Sequence, residues 1–424
     1  MTDRTTAPLT KPFGHLHLPE PTVETLSNGL TLHHYSGGDQ DVCRLTVKIP
    51  FGGKYAGSAA PSILASQLTE GTKHHLPEQF AEILDYNGAS VNAHASEYFI
   101  TVTLNTLTNR LPALLPLVAE MLSEPYFDPE RLENARLTTV NNLLTSRRDP
   151  AVIASEAIKP SIFGKGHPAS AIRQPEDIMA VDRPELQDLY DRMLNPEKIH
   201  IMLSGRLTED TIASARTTLS QIKPIGTGYD IPVREMHPAE GGHRIVTPFP
   251  DSLQSAIVMA IICPHRTHPD YIPLRLAVMA LGGYFGSRLM SNIREEKGLT
   301  YGIDASLQGL REGSFAAITA KCDKSFTNEV EHETIAEIAR LAAEPPAAEE
   351  LENLKLYAMT SLAKTLDTPL SIMGYYGGKL ETAYPDNYFN DQQRVIATIT
   401  SDKIAEMADR YLRPESIITS IAGE

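Results

Sequence analysis

Arg294 and Tyr301 stand seven positions apart in the run GGYFGSRLMSNIREEKGLTYGIDAS (282–306). Together they offer a permanent cation and a phenolic donor. Donors held in place in this way stabilise an oxyanion as it develops in acyl-transfer chemistry. The local pattern suits a positioned pair. Ser287 is a candidate N-cap, Leu289 and Ile293 form an i,i+4 apolar stripe, and Gly298 fits the left-handed turn that ends a helix. Arg294 then falls near the helix C-terminus, off the stripe, and Tyr301 on the strand that follows. Spacing alone leaves a second reading open. In it, Arg294 and Lys297 complement the helix dipole, and Tyr301 is a half-buried strand residue.

Metal chemistry would need converging imidazole, thiolate or carboxylate groups. Among the 14 histidines, none forms an HxxxH or HxH pair on a helical stretch. His15 and His17 lie in a proline-flanked arm and read as surface residues. His74 and His75 are adjacent, so their side chains diverge on a helix or a strand. Cys43, Cys263 and Cys322 have no CxxC spacing, which excludes a disulfide framework and a structural zinc cage. They read as idle thiols in a reducing compartment. The stretch Gly282-Gly283-Tyr284-Phe285-Gly286 lacks the lysine and the strand-loop-helix spacing of a phosphate loop. Arg147-Arg148 reads as a solvated helix end.

The elements that must position these residues occur twice. Leu132-Glu133-Asn134 recurs as Leu351-Glu352-Asn353, at an offset of 219 residues, which also pairs Leu137 with Leu356, Leu143 with Leu362 and Pro150 with Pro369. Further on, DRMLNPEKIHIMLSG (191–205) matches DRYLRPESIITSIAG (409–423) at an offset of 218. A repeat of this length and number is a duplicated domain and not a solenoid. The join falls in a Gly/Pro-rich stretch, so the expected organisation is residues 1–222, a linker at 223–242, and residues 243–424. Each half carries strands, a helix, strands again, long helices, and a last helix and short strand ending in glycine. The expected fold class is α+β: two homologous two-layer halves, each a mainly antiparallel sheet with helices packed on one face.

At 424 residues, 42% hydrophobic and 21% charged, the chain has the composition of an ordinary two-domain globular protein. A net charge of −15 disfavours nucleic acid and anionic membranes, which need clustered positive charge. No run approaches the roughly 18 apolar residues of a membrane span. The polar opening MTDRTTAPLTKPFGHLHLPEP has no apolar signal core, and a cytoplasmic location is expected.

With the halves laid out, nearly the whole chain resembles the pitrilysin/insulinase (M16) peptidases. The resemblance rests on TLSNGLTL (25–32), FGGKYAGSAAPSILASQLTEGT (51–72), NGASVNAHASEYF (87–99) and, most specifically, the 282–306 run. In active members an HxxEH helix binds zinc through both histidines, and its glutamate acts as general base. A further glutamate about 76 residues on completes the ligand set. Anchored on Gly71-Thr72, the five motif positions here are Ser62, Ile63, Leu64, Ala65 and Ser66, and the downstream position is Asn142. Two hydroxyls, a methyl and an amide cannot hold Zn²⁺, so no metal or other cofactor is expected in this chain.

The resemblance also implies that Arg294 and Tyr301 form the family pair that holds the substrate backbone and stabilises the tetrahedral oxyanion. It implies that Asn92-Ala93-His94 is the strand that pairs with an extended substrate. Without zinc beside it, that strand is otherwise only a sheet edge, and His94 a structural histidine. The expected role is that of a zinc-less subunit. It would join a homologous HxxEH-bearing partner whose zinc cleaves peptides, and would supply Arg294 and Tyr301 in trans. The alternative is a non-proteolytic peptide-binding or scaffold protein, possibly a homodimer.

Overall fold

Leu45, Val47 and Ile49 alternate along one strand and are almost wholly buried, so this period-2 pattern turns one face of a sheet inward. The computed structural model describes residues 14–52, 55–223, 225–230, 234–250 and 252–423. Its first sheet contains β1 (Thr22–Thr25), β2 (Thr31–Ser36), β3 (Val42–Pro50), β4 (Ser90–Ala95), β5 (Phe99–Leu107) and β6 (His200–Gly205) in the order β1-β2-β6-β3-β5-β4. The second contains β7 (Arg244–Thr247), β8 (Gln254–Cys263), β9 (Thr300–Gly309), β10 (Ser314–Asp323) and β11 (Ile418–Ala422) in the order β7-β11-β8-β10-β9. Only β2–β6 and β11–β7 pair in parallel. Leaving out β1, the two sheets have the same order and the same directions, so the duplication read from the sequence is a duplication of topology.

The glycines that end the two repeats have a physical reason. Gly205 adopts φ +138°, and a Cβ there would lie 2.2 Å from the Val42 carbonyl oxygen. Gly423 adopts φ +118°, and a Cβ would lie 2.7 Å from the Gln254 carbonyl oxygen. Both last strands press backbone against backbone at the start of a central strand, where a side chain has neither space nor an allowed conformation. Gly205→Ala should therefore lower stability by about 2–4 kcal/mol, read as a lower urea midpoint.

Each lobe has its own apolar core between its sheet and its helices. Leu114, Leu115 and Ile63 belong to the first core, and Leu274, Ile338 and Met407 to the second. The other face of each sheet is covered as well, by a helix from the opposite half. Ala154, Ile158 and Ile162 of the Pro150–Phe163 helix pack on Ala256, Val258 and Ala260 of β8. In return the Pro369–Thr382 helix lies on β6 and β2. These two helices begin at the repeat-equivalent prolines Pro150 and Pro369. Lys48 of β3 pairs with Glu381, and Lys321 of β10 with Asp149 at 2.6 Å, so each exchange carries an ion pair. Each half thus packs its own helices on one face of its sheet, as expected, and a helix from the opposite half covers the other face.

On the face of the first sheet that receives the Pro369–Thr382 helix, His33 Nε2 and His200 Nδ1 lie 3.2 Å apart. Burial, and secondarily the charge of His200, pushes the His33 pKa from 6.5 down to about 4. Between those values the unfolded chain binds a proton that the native chain does not. Stability should fall as pH drops from about 6.5 to about 4. Denaturation midpoints at pH 7 and pH 4.5 measure this, and His33→Asn should shrink the difference.

Candidate functional site

The backbone carrying Arg294 is wound more widely than an α-helix. Met290–Glu296 forms a π-helical stretch in which the Lys297 N–H donates to the Asn292 carbonyl at 3.0 Å. The α-helix expected here is not the one observed, and the Ser287 hydroxyl does not cap it. That hydroxyl is buried without a hydrogen-bond partner, while the Ser287 carbonyl accepts from Ser291 N–H at 2.9 Å. Leu289 and Ile293 are fully buried and anchor the segment on the second core. Gly298 closes it at φ +66°. The wider turn lets the chain re-aim between a buried stripe and an edge strand, and single π turns recur at functional positions for that reason.

Most polar side chains of this segment are committed. Arg288 pairs with Glu350 at 2.8 Å, Lys297 with Glu333 at 2.5 Å, and the Asn292 amide donates to Glu337 at 2.8 Å. Arg294 differs. Its guanidinium rests 5.0 Å from the centroid of the Phe285 ring and has no carboxylate partner among the described residues. Tyr301, second residue of the edge strand β9, is 90% exposed. Its hydroxyl has no hydrogen-bond partner among the described residues. The bland alternative required a half-buried tyrosine, and this one projects into solvent.

The positions matched to the zinc motif lie on the Ala60–Leu68 helix. Ile63, Leu64 and Ala65 are fully buried, and the Ser66 hydroxyl is spent on the Ile63 carbonyl at 2.8 Å. Ser62 faces a cavity of about 570 Å³ at the seam between the lobes. Its hydroxyl accepts a long hydrogen bond, 3.5 Å, from Arg173 Nη1. Asn142 is exposed on the Pro129–Ser146 helix, and the side chain of that helix that lines the cavity is Leu143. A fixed guanidinium and an alkyl group beside two hydroxyls do not fit a divalent cation. Among the described residues no three His, Cys, Asp or Glu side chains converge on a possible metal position.

The chain does not bring its two half-sites together. Tyr301 lines a separate depression with Arg148, Leu253 and Lys321, and shares no cavity with Ser62. Asn92, Ala93 and His94 lie on β4, an edge strand that among the described residues pairs only with β5. Asn92 and His94 are exposed. Arg147 is no solvated helix end: it pairs with Glu156 at 2.9 Å and donates to the Arg173 carbonyl at 2.7 Å. The three cysteines are buried, and desolvation raises the Cys43 thiol to about 11.

Arg173, Lys159 and Glu312 line the Ser62 cavity and were not singled out from the sequence. They sit in unremarkable charged stretches, and no spacing links them to Ser62.

Residues 40–176 match the family described as insulinase (peptidase family M16), and residues 180–356 match the peptidase M16 inactive domain. The chain belongs to the M16 peptidase family. It is 24% identical over 245 residues to the non-peptidase homolog YmxG of Helicobacter pylori, covering 57% of this chain and 56% of that one. The match thus spans little more than half of that relative's length. A protease from Helicobacter pylori superimposes with a TM-score of 0.86 at 17% identity, over 96% of this chain and 100% of that one. The peptidase M16 inactive domain from Pseudomonas fluorescens superimposes with a TM-score of 0.84 at 20% identity, over 95% and 98%. These superpositions speak for two homologous α+β lobes, each a mixed sheet with helices packed against it. Among the described residues no helix is long and apolar enough to cross a membrane.

Proposed function

We propose that this chain is the zinc-less subunit of a two-chain M16 peptidase. It lends Arg294 and Tyr301 to the zinc site of a homologous HxxEH-bearing partner, which cleaves peptides. The observation that carries this reading is the uncommitted state of the pair. The neighbouring cations Arg288 and Lys297 are ion-paired within the chain, whereas among the described residues Arg294 meets only the Phe285 ring and the Tyr301 hydroxyl has no partner. A structural role would have used these donors internally. A role across an interface leaves them available.

In the complex, Arg294 and Tyr301 would face the carbonyl under attack and donate to its oxygen as negative charge develops. The extended peptide would add along a free sheet edge of the β4 kind, with Asn92-Ala93-His94 as the corresponding strand here. Water activation would belong to the partner, since Ala65 has no group able to take a proton. Zinc would be the partner's cofactor, and assembly would enclose the peptide between the two chains.

Co-expression with an HxxEH-bearing homologue, followed by co-purification and a peptide-cleavage assay, tests this directly. The expected result is a stable complex whose activity needs both chains. A partner fully active alone, or no complex, would leave the second reading, a non-proteolytic scaffold or peptide-binding protein, which the likeness to a protein described as a non-peptidase homolog favours.

A further inference from the structure

The seam cavity that replaces the metal position is built of charges, and they divide unevenly. Glu156 is held by Arg147 at 2.9 Å, and Glu381 by Lys48, so both are neutralised inside the chain. Arg173 is not. It is half-buried, donates to the Gly57 carbonyl at 3.4 Å and to Ser62 at 3.5 Å, and has no carboxylate within ion-pair reach among the described residues. A desolvated guanidinium bonded only weakly to neutral oxygens is an incomplete arrangement, because its natural complement is a bidentate carboxylate.

The acidic groups of the cavity show the opposite deficiency. Glu97 on the first lobe and Glu312, half-buried on the second, line the same space. Burial, and then the charge of Glu97, pushes the Glu312 carboxyl up to about 7. Tyr98 donates its hydroxyl to Glu312, but among the described residues no cation makes ion-pair contact with either carboxylate. Burial raises the Glu97 carboxyl above the usual carboxylate range, and Lys159 opposes that shift electrostatically without closing such a contact. Two carboxylates facing each other across a domain seam are relieved by an ammonium group between them.

We propose that this cavity binds a short peptide as its zwitterion, with the C-terminal carboxylate on Arg173 and the N-terminal ammonium between Glu97 and Glu312. Its volume of about 570 Å³ lies within the roughly 300–1,000 Å³ of small-ligand pockets. A ligand carrying both charges completes two unsatisfied walls at once, whereas a simple anion or cation completes one and leaves the other exposed to it. The choice of a peptide over another zwitterion rests on reading this chain as part of a peptide-handling complex. The site itself lies apart from Arg294 and Tyr301. In that setting a short peptide is the class of product that the partner's cleavage would release.

Calorimetric titration of the full chain with trialanine, N-acetyl-trialanine and trialanine amide tests the proposal without any variant. The free-termini peptide should bind, and blocking either end should weaken it at least tenfold. Arg173→Met should erase the penalty for amidation, and the double change Glu97→Gln with Glu312→Gln should erase the penalty for acetylation. Equal affinity of free and blocked peptides, or no binding at millimolar concentration, overturns the proposal. Peptide cleavage by the complex separates this from the reading of the Arg-Tyr pair. Failure of trialanine binding would leave the role of Arg294 and Tyr301 untouched, and wild-type turnover from Arg294→Ala would leave trialanine binding by the free chain untouched.

Discussion

In a complex reconstituted with the zinc-bearing partner proposed above, Arg294→Ala or Tyr301→Phe should lower turnover by roughly 10²–10³-fold, corresponding to about 2.7–4 kcal/mol of barrier for a lost oxyanion donor. Neither change should disturb the chain itself. Tyr301 is 90% exposed, and Arg294 makes no ion pair among the described residues, resting only against the Phe285 ring. The loss should therefore appear with native thermal stability, unchanged co-purification and full zinc on the partner. Because these donors meet charge that exists only in the transition state, kcat should fall with kcat/KM while KM stays nearly constant. Leu289→Ala is the contrasting control. It removes a fully buried anchor of the π-helical segment, should cost about 2–5 kcal/mol of stability, and would misplace both donors together. Wild-type turnover from Arg294→Ala and Tyr301→Phe would reduce the pair to surface residues.

The second large effect concerns the erased half-site. Installing the missing motif by Ser62→His, Ala65→Glu and Ser66→His should yield a destabilised chain that still takes up no stoichiometric zinc. Ala65 is fully buried, so a carboxylate there would meet packed side chains with no water and no counter-ion. An uncompensated buried charge costs about 3–5 kcal/mol. At roughly 2–4 °C per kcal/mol for a domain of this size, Tm should fall by about 10 °C. Metal would gain little in return. The Arg173 guanidinium already lies 3.5 Å from the Ser62 hydroxyl and would repel a divalent ion, and Leu143 lines the cavity without a ligand atom. Zinc analysis of the purified variant, with thermal melts in the presence and absence of chelator, checks both parts. One tightly held zinc per chain with a raised Tm would show that the site had merely lost its ligands and had not been rebuilt.

That distinction also separates what each level of description could deliver. That the family's zinc motif is not spelled at residues 62–66 and 142 was readable from residue types alone: serine, alanine and asparagine cannot do the work of histidine and glutamate, whatever their geometry. What took its place was not. Arg173 lies 111 residues from Ser62 in sequence, and no local pattern marks a lone arginine that a later loop folds back onto an earlier helix. The helix carrying Arg294 was placed correctly by its Leu289/Ile293 stripe, but its winding was not. A buried pair four residues apart fits a π turn as well as an α turn, so the stripe alone does not distinguish the two windings.

The sequence by itself determined the duplication, the α+β class, the family and the lack of HxxEH residues at positions 62–66. Each of these is written in local periodicity, in repeated short motifs or in the chemistry of single side chains, and none needs long-range contacts. Only the tertiary structure decided that each lobe covers the other's sheet with a helix, that Ser62 and Tyr301 face different spaces, and that unpaired charges from both lobes line one cavity. Those facts depend on which apolar faces find each other. An amphipathic helix such as Pro150–Phe163 shows which of its faces is buried, but not which sheet will bury it.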